Sequence, residues 1–167
     1  MKMHLSKEEL AALCREHGPT LHLPPGVNGP QMLWAFAGRE SSFGARCVPL
    51  HEKAYCYGSK YYKTDKVLRD LTEAWGCWSH ASYGPWQILF DNAYRLDHTI
   101  DPIRLMTDPA VCTVITVAEF NRIMDLQKPP GLREIADAWN SGDWRDAIRP
   151  TDYMDAVESF YKTSVMP

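Results

Sequence analysis

Proline divides this chain into helix-length pieces. Pro24-Pro25-Gly26 and Gly29-Pro30 interrupt it early, Pro109 follows Thr107 and Asp108, Pro129-Pro130 closes the next segment, and Pro150 precedes the last. With no amide hydrogen and a fixed φ, proline is accepted in the first turn of a helix and breaks one further in. Between these breaks the apolar residues recur at helical spacing.

The local start and stop signals agree. Ser6 with Glu9 predicts a capping box, with Leu5 and Leu10 placed for a hydrophobic staple. Leu10, Leu13 and Cys14 form the apolar stripe of that first helix, and Gly18 fits its stop. A second helix, opened by Pro30, carries Met32, Leu33, Phe36 and Ala37. Thr64 or Asp65 caps a third with Val67, Leu68, Leu71 and Trp75 on one face, closed by Gly76. A helix is expected over about 86–96, carrying Ile88, Leu89 and Tyr94. Another starts at Thr107 or Asp108 and runs to Gln127. Its β-branched portion, 111–117, has strand propensity, but the length and the stripe Val111, Ile115, Ala118 and Met124 favour helix. One more begins near Leu132, buries Leu132, Ile135, Ala136 and Trp139, and meets Asn140-Ser141-Gly142. The last follows Pro150 and turns Tyr153, Val157, Phe160 and Tyr161 inward. These are about seven helices. Over about 45–63 the periodicity fades, leaving a loop with at most a small β-hairpin. The fold class is mainly α.

At 167 residues and 45% hydrophobic, the chain suits a single domain, 1–167, with a real core. A formal net charge of -3 excludes nucleic acid as the main partner, because phosphate binding needs a basic surface. Six Trp and eight Tyr supply apolar faces of the kind that recognise uncharged sugars, besides their use in a core. No apolar run reaches the roughly 20 residues that span a bilayer, and MKMHLSKEEL lacks a signal-peptide segment. The expectation is a soluble, monomeric chain made in the cytoplasm; for work outside the cytoplasm, something else must release it or a signal has been trimmed.

The most informative stretch is 31–44, QMLWAFAGRESSFG. It reads as an apolar helix that delivers one carboxylate, Glu40, to its own C-terminal end. An apolar setting and the negative end of the helix dipole both disfavour the charged form and raise a carboxyl pKa. An acid that keeps its proton near neutral pH is what glycosidic-bond cleavage requires. The competing reading is an exposed Glu paired with Arg39.

Four segments in order resemble the soluble lytic transglycosylase and goose-type lysozyme superfamily. Glu40-Ser41-Ser42-Phe43 is similar to its E-S-x-F around the catalytic acid. Ser82-Tyr83-Gly84-Pro85-Trp86-Gln87-Ile88 resembles G-L-M-Q-I, Ala138-Trp139-Asn140-Ser141-Gly142 resembles A-Y-N-x-G, and Tyr153 with Val157 resembles Y-x-x-x-V. Each string is short, and their order within a helical frame carries the resemblance.

The resemblance implies a lysozyme-like helical domain in two lobes with a substrate cleft, and an insertion at about 45–80. It implies cleavage of the β-1,4 bond between N-acetylmuramic acid and N-acetylglucosamine in peptidoglycan. Glu40 would act first as acid and then as base, by hydrolysis or by transglycosylation to an anhydro sugar. By position, Ser42, Gly84, Trp86, Gln87, Trp139, Asn140 and Tyr153 would bind substrate. Gly84 would let the backbone approach the sugar, and Trp86, where the family has Met, would stack on a pyranose or pack in the core. Gln87 would bond the sugar, hold its own loop, or both, and Asn140 would tie the site to the helix behind it. Trp139 stands at the family's Tyr, so a hydroxyl contact to Glu40 must come from elsewhere, with Tyr153 the candidate. Asp91 is the possible second carboxylate, set against an ordinary solvated helix residue. A chitin-cleaving relative and a non-catalytic wall-binding module are the alternatives.

No metal or cofactor is expected. The insertion nevertheless gathers Cys47, His51, Cys56, Cys77 and His80. Their spacing matches no standard zinc finger, so thiols packed under the loop are the first expectation. A zinc set and a Cys56–Cys77 disulfide are the alternatives.

Overall fold

The structure is a computed structural model and describes residues 5–146 and 150–167. Among these, nine α-helices surround a small antiparallel sheet. The helices are α1 (Lys7–His17), α2 (Gly29–Ser41), α3 (Lys60–Thr64), α4 (Lys66–Trp75), α5 (Phe90–Leu96), α6 (Pro102–Thr107), α7 (Pro109–Gln127), α8 (Leu132–Ser141) and α9 (Thr151–Thr163). No described helix is long and apolar enough to cross a membrane.

Most helix ends follow the local signals. Ser6 and Glu9 form the capping box of α1, Asp65 caps α4, and Asp108 caps α7 through the amides of Ala110 and Val111. Gly18 departs from its expected role. It is right-handed (φ -54), and its lack of a side chain serves close packing instead. A Cβ there would lie 2.3 Å from the Pro30 nitrogen, and one on Gly29 would lie 2.0 Å from the Gly18 carbonyl oxygen. The end of α1 and the start of α2 thus meet backbone to backbone.

Two of the helices were not read from the sequence, and a third is shorter than expected. α3 and α6 have sound N-caps in Ser59 and Asp101, but five and six residues are too few to show a helical period. The helix expected from 86 starts only at Phe90. Gln87 is left-handed (φ 52), as is Gly84 (φ 73), so 84–87 forms the turn of a hairpin. The sheet therefore has three strands, where at most one hairpin in the middle loop was expected. β1 (Leu50–His51) pairs with β2 (Ala81–Tyr83), in register Leu50 to Ser82, and β2 pairs with β3 (Ile88–Leu89), in register Tyr83 to Ile88.

The buried side chains fall into two clusters. The first takes α1, α2, α8, α9 and the C-terminal half of α7, around Leu33, Phe36, Phe120, Ile135 and Val157. The second takes the sheet, α4, α5, α6 and the N-terminal half of α7, around Leu71, Tyr83, Phe90, Leu105 and Ile115. Trp139 packs against both. α2 is buried on every face from Met32 to Gly38, so the stripe read from the sequence understates it. Phe36 alone meets Phe120 at 4.9 Å and Trp139 at 6.1 Å between ring centres. Burying a Phe stabilises by roughly 1.5–3 kcal/mol, and each well-placed aromatic pair adds about 0.5–1.5.

Helices α2 and α9 run antiparallel, pinned at both ends. At one end Gln31 Nε2 donates to the Tyr161 and Ser164 carbonyls at 3.0 and 2.9 Å, and the Asn28 amide donates to the Tyr161 hydroxyl at 2.8 Å. At the other end the Tyr153 hydroxyl donates to Glu40. That pairing sets the position of the acid.

Candidate active site

Glu40 is the penultimate residue of α2, where the chain reverses sharply. Ser42 and Phe43 are both left-handed (φ 54 and 57), followed by Gly44 (φ 82). Left-handed backbone costs a non-glycine residue roughly 1–2 kcal/mol. Packing opposes it: the Phe43 ring lies 4.6 Å from Trp34 and 5.3 Å from Phe160. Buried Ser41 ties the corner, accepting from the Gly44 amide at 2.9 Å and donating to the Ala37 carbonyl at 3.0 Å.

Burial is the largest influence on Glu40 and raises its pKa above the ordinary Glu value. The Tyr153 hydrogen bond, the positive charge of Arg39 and the Trp139 side chain pull it down, and the negative charge of Glu52 pushes it up. The net direction is upward, so Glu40 holds its proton to higher pH than an exposed Glu. Arg39 lies over the Tyr153 ring, 5.0 Å from its centre, which gives that exposed cation an aromatic partner.

Glu40 opens into a cavity of about 320 Å³ lined also by Glu52, Tyr55, Tyr61, Gln87, Trp139 and Asn140. A second cavity, about 130 Å³, continues it and reaches Glu119 and Arg122. The two share Tyr55, Gln87, Leu89, Trp139, Asn140 and Ser141, so together they form one groove. Its lining includes Trp139, which packs against both core clusters, so the seam between the clusters reaches it there.

Glu52 is the residue that sequence reasoning missed. It follows β1, its amide donates to the His80 carbonyl at 2.7 Å, and its carboxylate accepts from the Ser82 hydroxyl at 3.0 Å. It sits inside the expected insertion with no flanking string to mark it. Only the pairing of β1 with β2 brings it to the groove.

The positions anticipated for substrate separate into two groups. Gln87, Trp139 and Asn140 line the groove. Gln87 also holds its own loop, donating to the Gly84 carbonyl at 2.8 Å, with its Oε1 2.9 Å from Ser82 Oγ. Trp139 is stacked on Phe120 with ring centres 4.1 Å apart. Asn140 is exposed on the groove wall, and the neighbouring Ser141 bonds within its own helix, donating to the Asp137 carbonyl at 2.9 Å. Tyr153 is buried and supplies the hydroxyl contact to Glu40.

The others are placed elsewhere. Ser42 is the exposed cap of α2, outside the groove lining. Gly84 is buried, and a Cβ on it would come within 2.2 Å of the Cys112 sulfur, so packing and not a sugar requires glycine. Trp86 is fully buried, its indole N–H donating to the Leu33 carbonyl at 2.8 Å, so the core reading holds and stacking on sugar does not. Asp91 is neither solvated nor in the groove. It is 6% exposed, with Arg95 Nε 3.9 Å away, and burial raises its pKa.

The soft ligands also separate. His51, Cys56 and His80 bring one potential ligand atom each within 4.8 Å of one another. Cys47 is buried elsewhere, donating to the Gly44 carbonyl at 3.1 Å, and Cys56 and Cys77 are separate thiols rather than a disulfide. No family model matches the chain, and comparisons with curated proteins and with solved structures find no match either.

Proposed function

We propose that this protein is a glycosidase that cleaves the β-1,4 bond between N-acetylmuramic acid and N-acetylglucosamine in peptidoglycan, with Glu40 as the acid. The observation that carries the reading is a half-buried carboxyl, raised in pKa, opening into a groove that a second carboxylate, Glu52, also lines. Two carboxyl groups flanking one bond are the usual equipment for glycosidic cleavage. The groove supplies Trp139, Tyr55 and Tyr61 as apolar faces, with Gln87 and Asn140 as amide partners, a lining suited to N-acetylated sugars. In this reading the two core clusters correspond to the two lobes of a lysozyme-like domain, and the seam to its cleft.

The chemistry follows from the arrangement. Glu40 gives its proton to the bridging oxygen as the bond to the anomeric carbon breaks, which leaves positive charge on the sugar ring. The Tyr153 hydroxyl bond stabilises the carboxylate that results, so it strengthens in the direction of the reaction. The negative charge of Glu52 favours the cationic sugar and orients a water towards it; as the water oxygen bonds the anomeric carbon, its proton passes to the Glu40 carboxylate and restores the acid. This second carboxylate favours hydrolysis over intramolecular capture by the 6-hydroxyl, a lysozyme more than a lytic transglycosylase. Digestion of purified sacculi followed by mass spectrometry of the muropeptides tests both points. Reducing ends are expected; anhydro ends would assign the reaction to transglycosylation, and no release from sacculi beside release from chitin oligomers would move the substrate to chitin.

A further inference from the structure

Residues 48–64 contain no buried side chain, although Glu52 within them lines the groove. The regular structure there is a two-residue strand, a single turn of 3-10 helix and the short α3. Such a segment gains little from the hydrophobic effect and needs another source of order.

We propose that His51, Cys56 and His80 bind one zinc-like transition metal ion, which fixes the groove wall carrying Glu52. The donor chemistry is that of zinc, with two imidazoles and a thiolate. Cys56 Sγ lies 3.6 Å from His51 Nδ1 and 3.7 Å from its Nε2. Bond lengths of ~2.3 Å to sulfur and ~2.0 Å to nitrogen place tetrahedral ligands about 3.5 Å apart. Either nitrogen of the exposed His51 ring reaches the ion by a small rotation.

His80 is already oriented. Its Nε2 lies 2.9 Å from Thr72 Oγ1, whose own hydrogen goes to the Leu68 carbonyl at 2.6 Å. The neighbouring Ser79 hydroxyl is likewise committed, to the Gly76 carbonyl at 2.7 Å. Thr72 must therefore accept from Nε2–H, which leaves the lone pair on Nδ1 for the ion. A hydrogen bond that fixes the tautomer of a histidine is the usual outer support of a metal ligand. On binding, Cys56 loses its thiol proton to solvent, and the fourth position is left to water.

The ligands bracket Glu52. His51 precedes it, the His80 carbonyl accepts its amide, and Cys56 Sγ lies 3.5 Å from its carbonyl oxygen. The ion would tie this segment to His80, which is 5% exposed and anchored by β2 and α4. The metal site does not depend on the catalytic reading, and its test does not use activity.

Titration of the purified chain with Co²⁺ is expected to saturate at one equivalent, with a thiolate-to-cobalt charge-transfer band and tetrahedral d–d bands that zinc abolishes. Cys77→Ser should leave the titration unchanged, Cys56→Ser should remove the charge-transfer band, and His51→Ala should weaken binding. At free zinc about ten times Kd, amide exchange in 50–57 should slow about tenfold. No charge-transfer band in the wild-type chain, or a band that survives Cys56→Ser and vanishes in Cys77→Ser, overturns the site. Metal binding with unchanged exchange in 50–57 overturns its role in fixing the wall.

Discussion

The Tyr153 hydroxyl donates to the Glu40 carboxyl across 113 residues of sequence, from the first turn of α9 to the last turn of α2. One hydrogen bond thus joins the helical frame to the proposed acid. It lowers the Glu40 pKa, against a larger upward effect of burial and a smaller one from Glu52. Removing each partner should therefore move the pH profile in opposite directions. A general acid is active while protonated, so its pKa sets the alkaline limb. Tyr153→Phe should move that limb to higher pH and cost about 1–2 kcal/mol of stability. Glu52→Gln should move it to lower pH and reduce turnover about 100-fold. Turbidity decay of sacculi measured across pH reads both.

Glu40→Gln should lower the lytic rate about 10²–10⁴-fold while the chain stays folded and bound to sacculi. Its stability has a definite sign. The wild-type chain must bury an ionised Glu40 once pH exceeds the native pKa, so stability is full below the ordinary Glu value of 4.5 and declines as pH rises through the raised one. Gln does not ionise, so the variant should be the more stable protein at neutral pH and lose that advantage in acid. Urea denaturation at two pH values measures the difference.

Ser42 should prove structural. Ser42→Gly removes the left-handed strain at the cap of α2 and adds unfolded-chain entropy, for a net gain of up to about 1 kcal/mol. Lysis should be unchanged, whereas a fall in kcat/KM would return Ser42 to the substrate site.

The Gly18–Gly29 contact leaves no room for a methyl group, because backbone faces it on both sides. Gly29→Ala should cost about 3 kcal/mol or more, since backbone gives way less readily than a side chain. Circular dichroism during thermal unfolding would show a lowered Tm.

Trp34 and Trp86 are both fully buried, but only Trp86 has an indole N–H partner among the described residues. A buried donor without a partner has nothing to lose on replacement. Trp86→Phe should therefore destabilise by about 1–2 kcal/mol more than Trp34→Phe, as chemical denaturation of the pair would show.

Helix boundaries set by caps and prolines were legible in the chain because they act within one turn. The capping box at Ser6, Asp65, the Asp108-Pro109 start, the Pro129-Pro130 stop and the helix after Pro150 all lie where local chemistry put them. The strands were not legible in this way. β1, β2 and β3 have two or three residues each, too few to show alternation, and are defined by partners up to 32 residues away.

The site divides along the same line. Placing Glu40 at the end of an apolar helix needed only the sequence of that helix, and so did the expectation that its pKa is raised. The short strings around Gly84 and Trp86 pointed to groove positions that turned out to be core, because a string does not record which face of a turn is buried.

What the sequence determined by itself was a mainly helical chain, its principal helix ends, and one acid carried to the end of an apolar helix. Only the tertiary structure decided that Glu52 rather than Asp91 shares the cavity of this acid, that Tyr153 holds it, and that three of five soft ligands converge. Capping and periodicity are energies of neighbouring residues, written in order along the chain. Cavities, carboxylate pairs and ligand clusters join residues that meet only when distant segments pack, and no local pattern encodes them.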